Sequence, residues 1–414
     1  MPAMQTPSPR TERWRAAACV LLFAGAAQAH EIDADALPGA PGWRLGAAVA
    51  GVLPDADARW PAARLPGVLL RGSAPPDQRD GLRLEHATVD LGARLTRQLG
   101  AAVAVGWHDR DGAHVEAATL QARWPGETGE LALRLGRDTV RLGAPIDGAG
   151  HFDRFSQTPL AKRAVFDDEW VDDGLALAWR AGDGDADGLR GVEAGLWRGR
   201  VFPGGEHGPL VPSLHLHAGW GHVDAHLSAA RFQPDARGSA ASTVVSSGHS
   251  HGTLDCRESL QQRVCFDGTV DVLAGSLQWE PDAGDWTVIV AALLRRERGQ
   301  LYSASGDAAV HSRIAGGWAD LVWRPLARWS LAGRLERLVP ENRLNGVGTA
   351  LLGGEAGVLE SAASERATLA ASYEAAPGLV LALETGRQWL PGEQVTHVAL
   401  RLVWSRPQLL EGRW

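Results

Sequence analysis

Residues 395–404 read VTHVALRLVW, and side chains of opposite character take turns along them. Val398, Leu400, Leu402 and Trp404 share one face, with Ala399, Arg401 and Val403 on the other. A period of two belongs to a strand whose faces meet different surroundings, and it is incompatible with a helix. The same alternation runs through LVLALETGRQ (379–388), with Leu379, Leu381 and Leu383 on one side. It runs also through DWTVIVAALLRR (285–296), with Trp286, Val288, Val290, Ala292 and Leu294. Each run is about ten residues, the length a tilted strand needs to cross a bilayer. Sixteen such runs can be traced, near 43–53, 82–97, 100–108, 113–124, 130–137, 172–180, 189–199, 213–220, 223–233, 269–279, 286–297, 313–323, 329–338, 366–374, 379–388 and 395–404. The number is even, as single-chain bacterial barrels require.

After residue 30 no segment is long and apolar enough for a membrane helix, so this chain can enter a membrane only as a closed sheet. The expected fold is all-β: a transmembrane antiparallel β-barrel of about sixteen strands over residues 43–405, in the bacterial outer membrane. The ends fit that destination. Arg10, Arg13 and Arg15 precede the apolar AAACVLLFAGAA, and Ala27-Gln28-Ala29 forms an A-x-A cleavage site, so residues 1–29 read as a secretory signal peptide. Residues 30–42 are then a periplasmic segment and 406–414 a C-terminal tail. Cys256 and Cys265, nine apart in an exported chain, are expected to close a loop as a disulfide.

The connections alternate in length. QLG, WPGETG, AGDGDADG, WGHV, EPDAGD, RPLAR and EAAPG are short and turn-rich, whereas 54–81, 138–171, 234–268 and 339–365 are long. Outer-membrane barrels have short periplasmic turns and longer extracellular loops. Tryptophan marks the short-turn side: Trp124, Trp179, Trp220, Trp279, Trp286, Trp323 and Trp329 sit beside short connections, and Trp43 and Trp404 lie at the barrel ends. Amphipathic rings favour the headgroup level, so these form an expected aromatic girdle. The competing architecture is a large soluble all-β protein such as a propeller, but no blade repeat is visible.

The stretch LGRDTVRLGAPIDGAGHFDRFSQTPLAKRAVFDDEWVDDGLALAW (135–179) resembles the third-loop region of phosphate-selective porin-like proteins. In that family a strand ending in LGR leads to a long loop with a Pro-Leu pair, then to an acidic, glycine-containing strand start. Here these are Leu135-Gly136-Arg137, Pro159-Leu160 and Asp172-Asp173-Gly174. RGRVFPGGE (198–206) and LVWRPLARWSLAGRLERL (321–338) are similar to a narrower set linked to zinc-responsive genes and commonly labelled TonB-dependent receptors. The chain departs from both. The phosphate channels carry a ladder of lysines, and Lys162 is the only lysine here. Their acidic residue before Pro-Leu is Thr158. A TonB-dependent receptor needs a 22-stranded barrel and a plug, and only about a dozen residues separate the cleavage site from the first strand. The family's terminal aromatic is best matched by Trp404 instead of Trp414.

A sixteen-stranded barrel leaves an aqueous channel. The third long loop, 138–171, is the one that folds inward in general porins. It carries Arg141, Arg154, Lys162 and Arg163 against Asp138, Asp147, Asp153, Asp167, Asp168 and Glu169, a mixed set that would filter ions at a constriction. Facing parity adds Asp90, Arg94, Arg134, Arg334, Glu336, Glu384 and Arg401 as lumen residues. The bland alternatives are a solvated loop and ordinary hydration of the inner wall.

Four histidines fall within HLHAGWGHVDAH (215–226). A two-residue Gly221-His222 turn of type II′ would pair Trp220 with Val223 on the lipid side and His217 with His226 in the lumen, His215 sharing that face. Paired imidazoles at about 4.5–5.5 Å between Cβ atoms could share Zn²⁺ or Cu²⁺, with His215 or Asp224 as a third ligand. His249 and His251 in GHSHG, and His30 as a mature N-terminus, are further candidates. The plainer reading is polar lumen and loop residues.

An enzyme is not expected: no G-x-S-x-G motif occurs. The acidic balance, −8 for the whole chain, disfavours nucleic acid. The expected function is passive diffusion of small hydrophilic solutes or ions, with no required cofactor and zinc or copper as the candidate ligand. The expected partners are outer-membrane lipid, the permeating solutes and, as in general porins, a homotrimer. The alternatives are a metal-capture or receptor-like barrel with an occluded pore, and an adhesive barrel acting through its loops.

Overall fold

A computed structural model describes residues 37–57, 64–69, 81–108, 112–182, 187–242, 254–281 and 284–414. The signal-peptide reading of 1–29, His30, His249 and His251 lie outside the described residues.

Alternation becomes strand wherever the sequence carries it. In chain order these are β1 (Gly42–Ala56), β2 (Arg83–Arg94), β3 (Leu99–Trp107), β4 (His114–Pro125), β5 (Gly129–Thr139), β6 (Val171–Ala181), β7 (Gly188–Trp197), β8 (Val211–Trp220) and β9 (Val223–Phe232). Two short strands follow, β10 (Arg237–Ala240) and β11 (Leu254–Asp255). Then come β12 (Arg263–Trp279), β13 (Trp286–Ser303), β14 (Gly306–Leu326), β15 (Trp329–Asn345), β16 (Ser364–Ala376), β17 (Leu379–Leu390) and β18 (Glu393–Arg413). The helices are α1 (Ala144–Asp147), α2 (Leu160–Phe166) and α3 (Thr349–Ala356). Each wall strand pairs antiparallel with its neighbours, β9 passes directly to β12, and β1 pairs with β18. Sixteen strands thus close a barrel, and β10 and β11 extend its rim. Closed this way the sheet has no edge, the condition for crossing a bilayer with strands. Among the described residues no helix is long and apolar enough to span a membrane.

Residues 406–413, set apart above as a tail, prolong β18 and pair with the start of β1, Gly42 lying opposite Arg413. A register shift between Leu45 and Ala47 accommodates the extra length. The runs read near 286–297 and 313–323 also fall short. β13 and β14 continue as one ladder until Ser303 pairs with Gly306.

The outside is a greasy band with two marked edges. Trp124, Trp220, Trp279, Trp286, Trp323 and Trp329 are exposed at the short-turn end. Trp286 stacks on Trp323 across the β13–β14 pair, and Trp329 packs against Tyr373 across β15–β16. Farther along the same face, exposed leucines and valines such as Leu133, Leu273, Val290, Leu369 and Leu383 follow at every second position. The other edge is charged. Arg337 meets Glu365 at 3.2 Å, Arg313 meets Glu341 at 3.0 Å and Arg231 meets Asp271 at 2.6 Å, all on outward positions. Glu365 lies eight residues from Tyr373, about 27 Å along a strand. At a strand tilt of about 35–45° that projects to about 19–22 Å, a little under the roughly 25 Å apolar band of outer-membrane barrels. A soluble sandwich would bury these tryptophans together.

Candidate channel lumen and constriction

Inward positions carry the polar half of the alternation, and the segment 140–170 lies among them. Its entry is tight. The Ser228 hydroxyl donates to the Leu142 carbonyl at 3.0 Å. Gly143, at φ 120°, passes so close to the wall that a Cβ would stand 2.5 Å from that of His226. Only glycine fits this position, for both backbone and space.

From there the segment is bound to one side of the barrel. The Ser156 amide and hydroxyl donate to Glu384 of β17 at 2.7 and 2.9 Å. The Leu160 amide at the start of α2 donates to Glu336 of β15 at 2.6 Å. Arg366 of β16 spans Glu336 and the Thr158 carbonyl, 2.6 Å from each. Arg334 of β15 holds Asp320 of β14 and reaches Asp153 of the segment at 2.7 Å. Arg401 of β18 donates to the carbonyls of His151 and Asp153 and pairs with Glu85 at 2.6 Å. Arg295 of β13 donates to the Ala164 and Leu69 carbonyls at 2.6 and 2.8 Å. Over these polar ties Ile146, Phe155, Leu160, Val165, Phe166 and Trp170 are buried against the wall strands and residues 64–69.

The sequence-derived residues therefore divide. Arg334, Glu336, Glu384 and Arg401 face inward, where they anchor the segment instead of standing free in the pore. Arg94, near the short turns, donates to the carbonyls of Pro38 and Arg97. Arg134 bridges Asp138 and Glu193, with Arg141 3.6 Å from the same glutamate. Asp90 meets Arg44 at 2.9 Å. Lys162 is 2% exposed and donates to the carbonyls of Asp147 and Ala149, while Asp147 accepts the Leu142 and Gly143 amides at 3.0 Å. These two set the shape of the segment. Arg154 lies 3.6 Å from Asp153. Arg163 is half-buried on α2. Asp167 and Asp168, at φ 57° and 111°, turn the chain after α2, and Glu169 beyond them is exposed.

Opposite the anchored side, a cleft remains between the segment and β2–β6. Its lining includes the carboxylates of Asp90, Glu116, Asp138, Asp147 and Glu169, with His86 and His151, and among the described residues no arginine or lysine. The parity reading did not name Glu116 or the histidines at 86, 108, 114 and 151, although His86 shares the parity of Asp90. Two of the wall pairings lose and regain register there.

Burial raises the Asp153 carboxyl, but Arg334 and Arg154 outweigh it and hold it below its ordinary value. A depressed carboxylate contributes stability above its unfolded pKa, about 4, and loses it as pH falls through the folded value. The carboxyl-carbon chemical shift of Asp153 should stay flat between pH 6 and 4. It should change only below that window, as the Arg334–Asp153 tie is lost.

The expected histidine pairing is present. Gly221 has φ 53°, and Trp220 faces Val223, Gly219 faces Asp224 and His217 faces His226. The His217 and His226 rings stack at 4.4 Å, and those of His215 and His226 at 5.4 Å. Their polar atoms already serve each other. His215 Nε2 meets His226 Nδ1 at 3.2 Å, His217 Nε2 meets Asp224 at 3.0 Å, and Arg190 holds that same Asp224 oxygen at 2.6 Å. The Arg190 guanidinium occupies the place of a cation at Asp224. Cys256 and Cys265 are bonded to each other, with Cα atoms 6.0 Å apart.

Closed sheet, apolar belt and inward segment together define a sixteen-stranded transmembrane β-barrel with a segment folded into its interior. No protein-family model matches the chain. No curated protein matches it either. Solved structures do match in fold. A loop-deletion mutant of OmpT, an outer membrane protein of Vibrio cholerae, aligns at 13% identity and TM-score 0.56, over 89% of this chain and 100% of that one. Salmonella typhi OmpF in complex with daunomycin aligns at 9% identity and TM-score 0.53, over 89% and 98%. The outer membrane channel DcaP of Acinetobacter baumannii aligns at 10% identity and TM-score 0.50, over 88% and 96%.

Proposed function

We propose that the protein is a passive, non-enzymatic channel of the bacterial outer membrane for small hydrophilic solutes, with a preference for cations. The observation that carries this reading is the cleft beside the anchored segment, with the carboxylates of Glu116 and Glu169 among its lining. A ring of one sign at a constriction selects ions by that sign. The fold is shared with a protein described as an outer membrane channel. One fold match, OmpT of Vibrio cholerae, is described in a trimer form, and a homotrimer in lipid is the assembly we propose here.

The purified protein in a planar bilayer should give stepwise openings. Across a KCl gradient the reversal potential should take the sign of cation selectivity. Glu169→Lys, on the exposed lining, should move that potential toward the anion side. A barrel that inserts and passes no current would reject the channel in favour of the occluded, receptor-like barrel, for which the packed core inside the lumen is the supporting observation.

A further inference from the structure

Two strands of the wall carry an extra residue near their outer ends. In the β1–β2 pairing, Ala50 faces His86 but Gly51 faces Leu84, so Glu85 is unmatched. In the β3–β4 pairing, Ala104 faces Ala117 but Val105 faces Val115, so Glu116 is unmatched. A bulge of this kind re-aims side chains. Val115 is exposed on the outer face, while Glu116 turns inward with its Oε1 2.5 Å from His86 Nε2. Gly106 leaves them the room: a Cβ there would lie 2.0 Å from Glu116 Oε1 and 2.8 Å from His86 Nε2. His108, just past the end of β3, stacks on His86 with ring centroids 4.4 Å apart.

We propose that His86, His108 and Glu116 form a binding site for a divalent first-row transition cation of the zinc class, open to the lumen. One ligand atom from each lies within 4.8 Å of the others, and among the described residues no other group of three His, Cys, Asp or Glu does so. Imidazole and carboxylate suit this class of ion. The supporting contacts are those a metal site uses to orient its ligands. His108 Nδ1 faces the carbonyl of the bulged Glu85 at 3.1 Å, which fixes the orientation of the ring. The Thr88 hydroxyl donates to Glu116 Oε2 at 2.9 Å, which leaves Oε1 directed at His86. His114 Nε2 stands 3.6 Å from Glu116 Oε1, and the His151 ring is 5.0 Å from that of His108, so further imidazoles border the site.

The test is calorimetric titration of the folded full chain in detergent with zinc chloride at pH 7. One Zn²⁺ per chain is expected. His108→Ala and Glu116→Gln should each weaken binding by at least about tenfold. Gly106→Ala should do the same with every ligand retained, because its methyl fills the site. Circular dichroism and heat-dependent gel migration confirm that each variant is a folded barrel. Absence of binding to the wild type overturns the proposal. So does binding that these three variants leave unchanged, or binding lost in His217→Ala instead. The site goes beyond the channel reading and is tested apart from it: current without zinc binding removes only the site, and zinc binding without current removes only the channel.

Discussion

Arginine in place of Leu369 is expected to destabilise the folded barrel by about 2–4 kcal/mol, the cost of a cation at the bilayer midplane on a barrel's lipid face. Leu369 is 63% exposed and lies halfway along β16 between Tyr373, in the aromatic girdle, and Glu365, in the charged rim. Leu326→Arg is the control. Leu326 is as exposed, at 65%, but pairs with Trp329 beside a short turn. There the expected cost is only about 0–1 kcal/mol, because the side chain reaches headgroups and water. Equilibrium unfolding from phospholipid vesicles measures both. Equal costs at the two positions would contradict a bilayer around this barrel, since a soluble protein has no depth.

Arg334→Ala should be similarly costly for a different reason. Arg334 and Asp320 are each 2% exposed, and the guanidinium holds Asp320 by two hydrogen bonds of 2.7 Å while it reaches Asp153. It also lies over the Phe155 ring at 4.4 Å. Removing one partner of a buried pair costs about 3–5 kcal/mol, because the remaining charge is left unpaired. The paired change Arg334→Ala with Asp320→Ala should recover part of that loss, since the double variant leaves one orphan carboxylate fewer. An additive double variant would mean that the two side chains are solvated independently.

Alternation located all sixteen wall strands because lipid outside and water inside penalise any other pattern. At the hairpin the same rule placed His217 opposite His226. Its failures are local and physical. Parity placed Arg334, Glu336, Glu384 and Arg401 in the lumen but could not say that the segment 140–170 would lie on them. That depends on contacts between residues up to 250 positions apart. Lys162 looked like a pore charge and is a strut, since its amine meets two carbonyls of its own loop. The His86–His108–Glu116 cluster was hidden because Val115, by strict counting, holds the inward place that the bulge gives to Glu116. Residues 406–413 lack the regular alternation, and strand β1 supplies the partner that makes them a strand.

The partners of the inward segment bear on how the barrel is assembled. Its anchors stand on β13 to β18, all later in the chain than the segment itself, and the two ends of the sheet meet only when β18 reaches β1. Contacts so distant along the chain form late, because the intervening chain must be ordered first. The seated position of the inward segment is therefore a product of completed closure. A nascent barrel halted before its C-terminal half has been laid down has the inward loop but no surface on which to seat it.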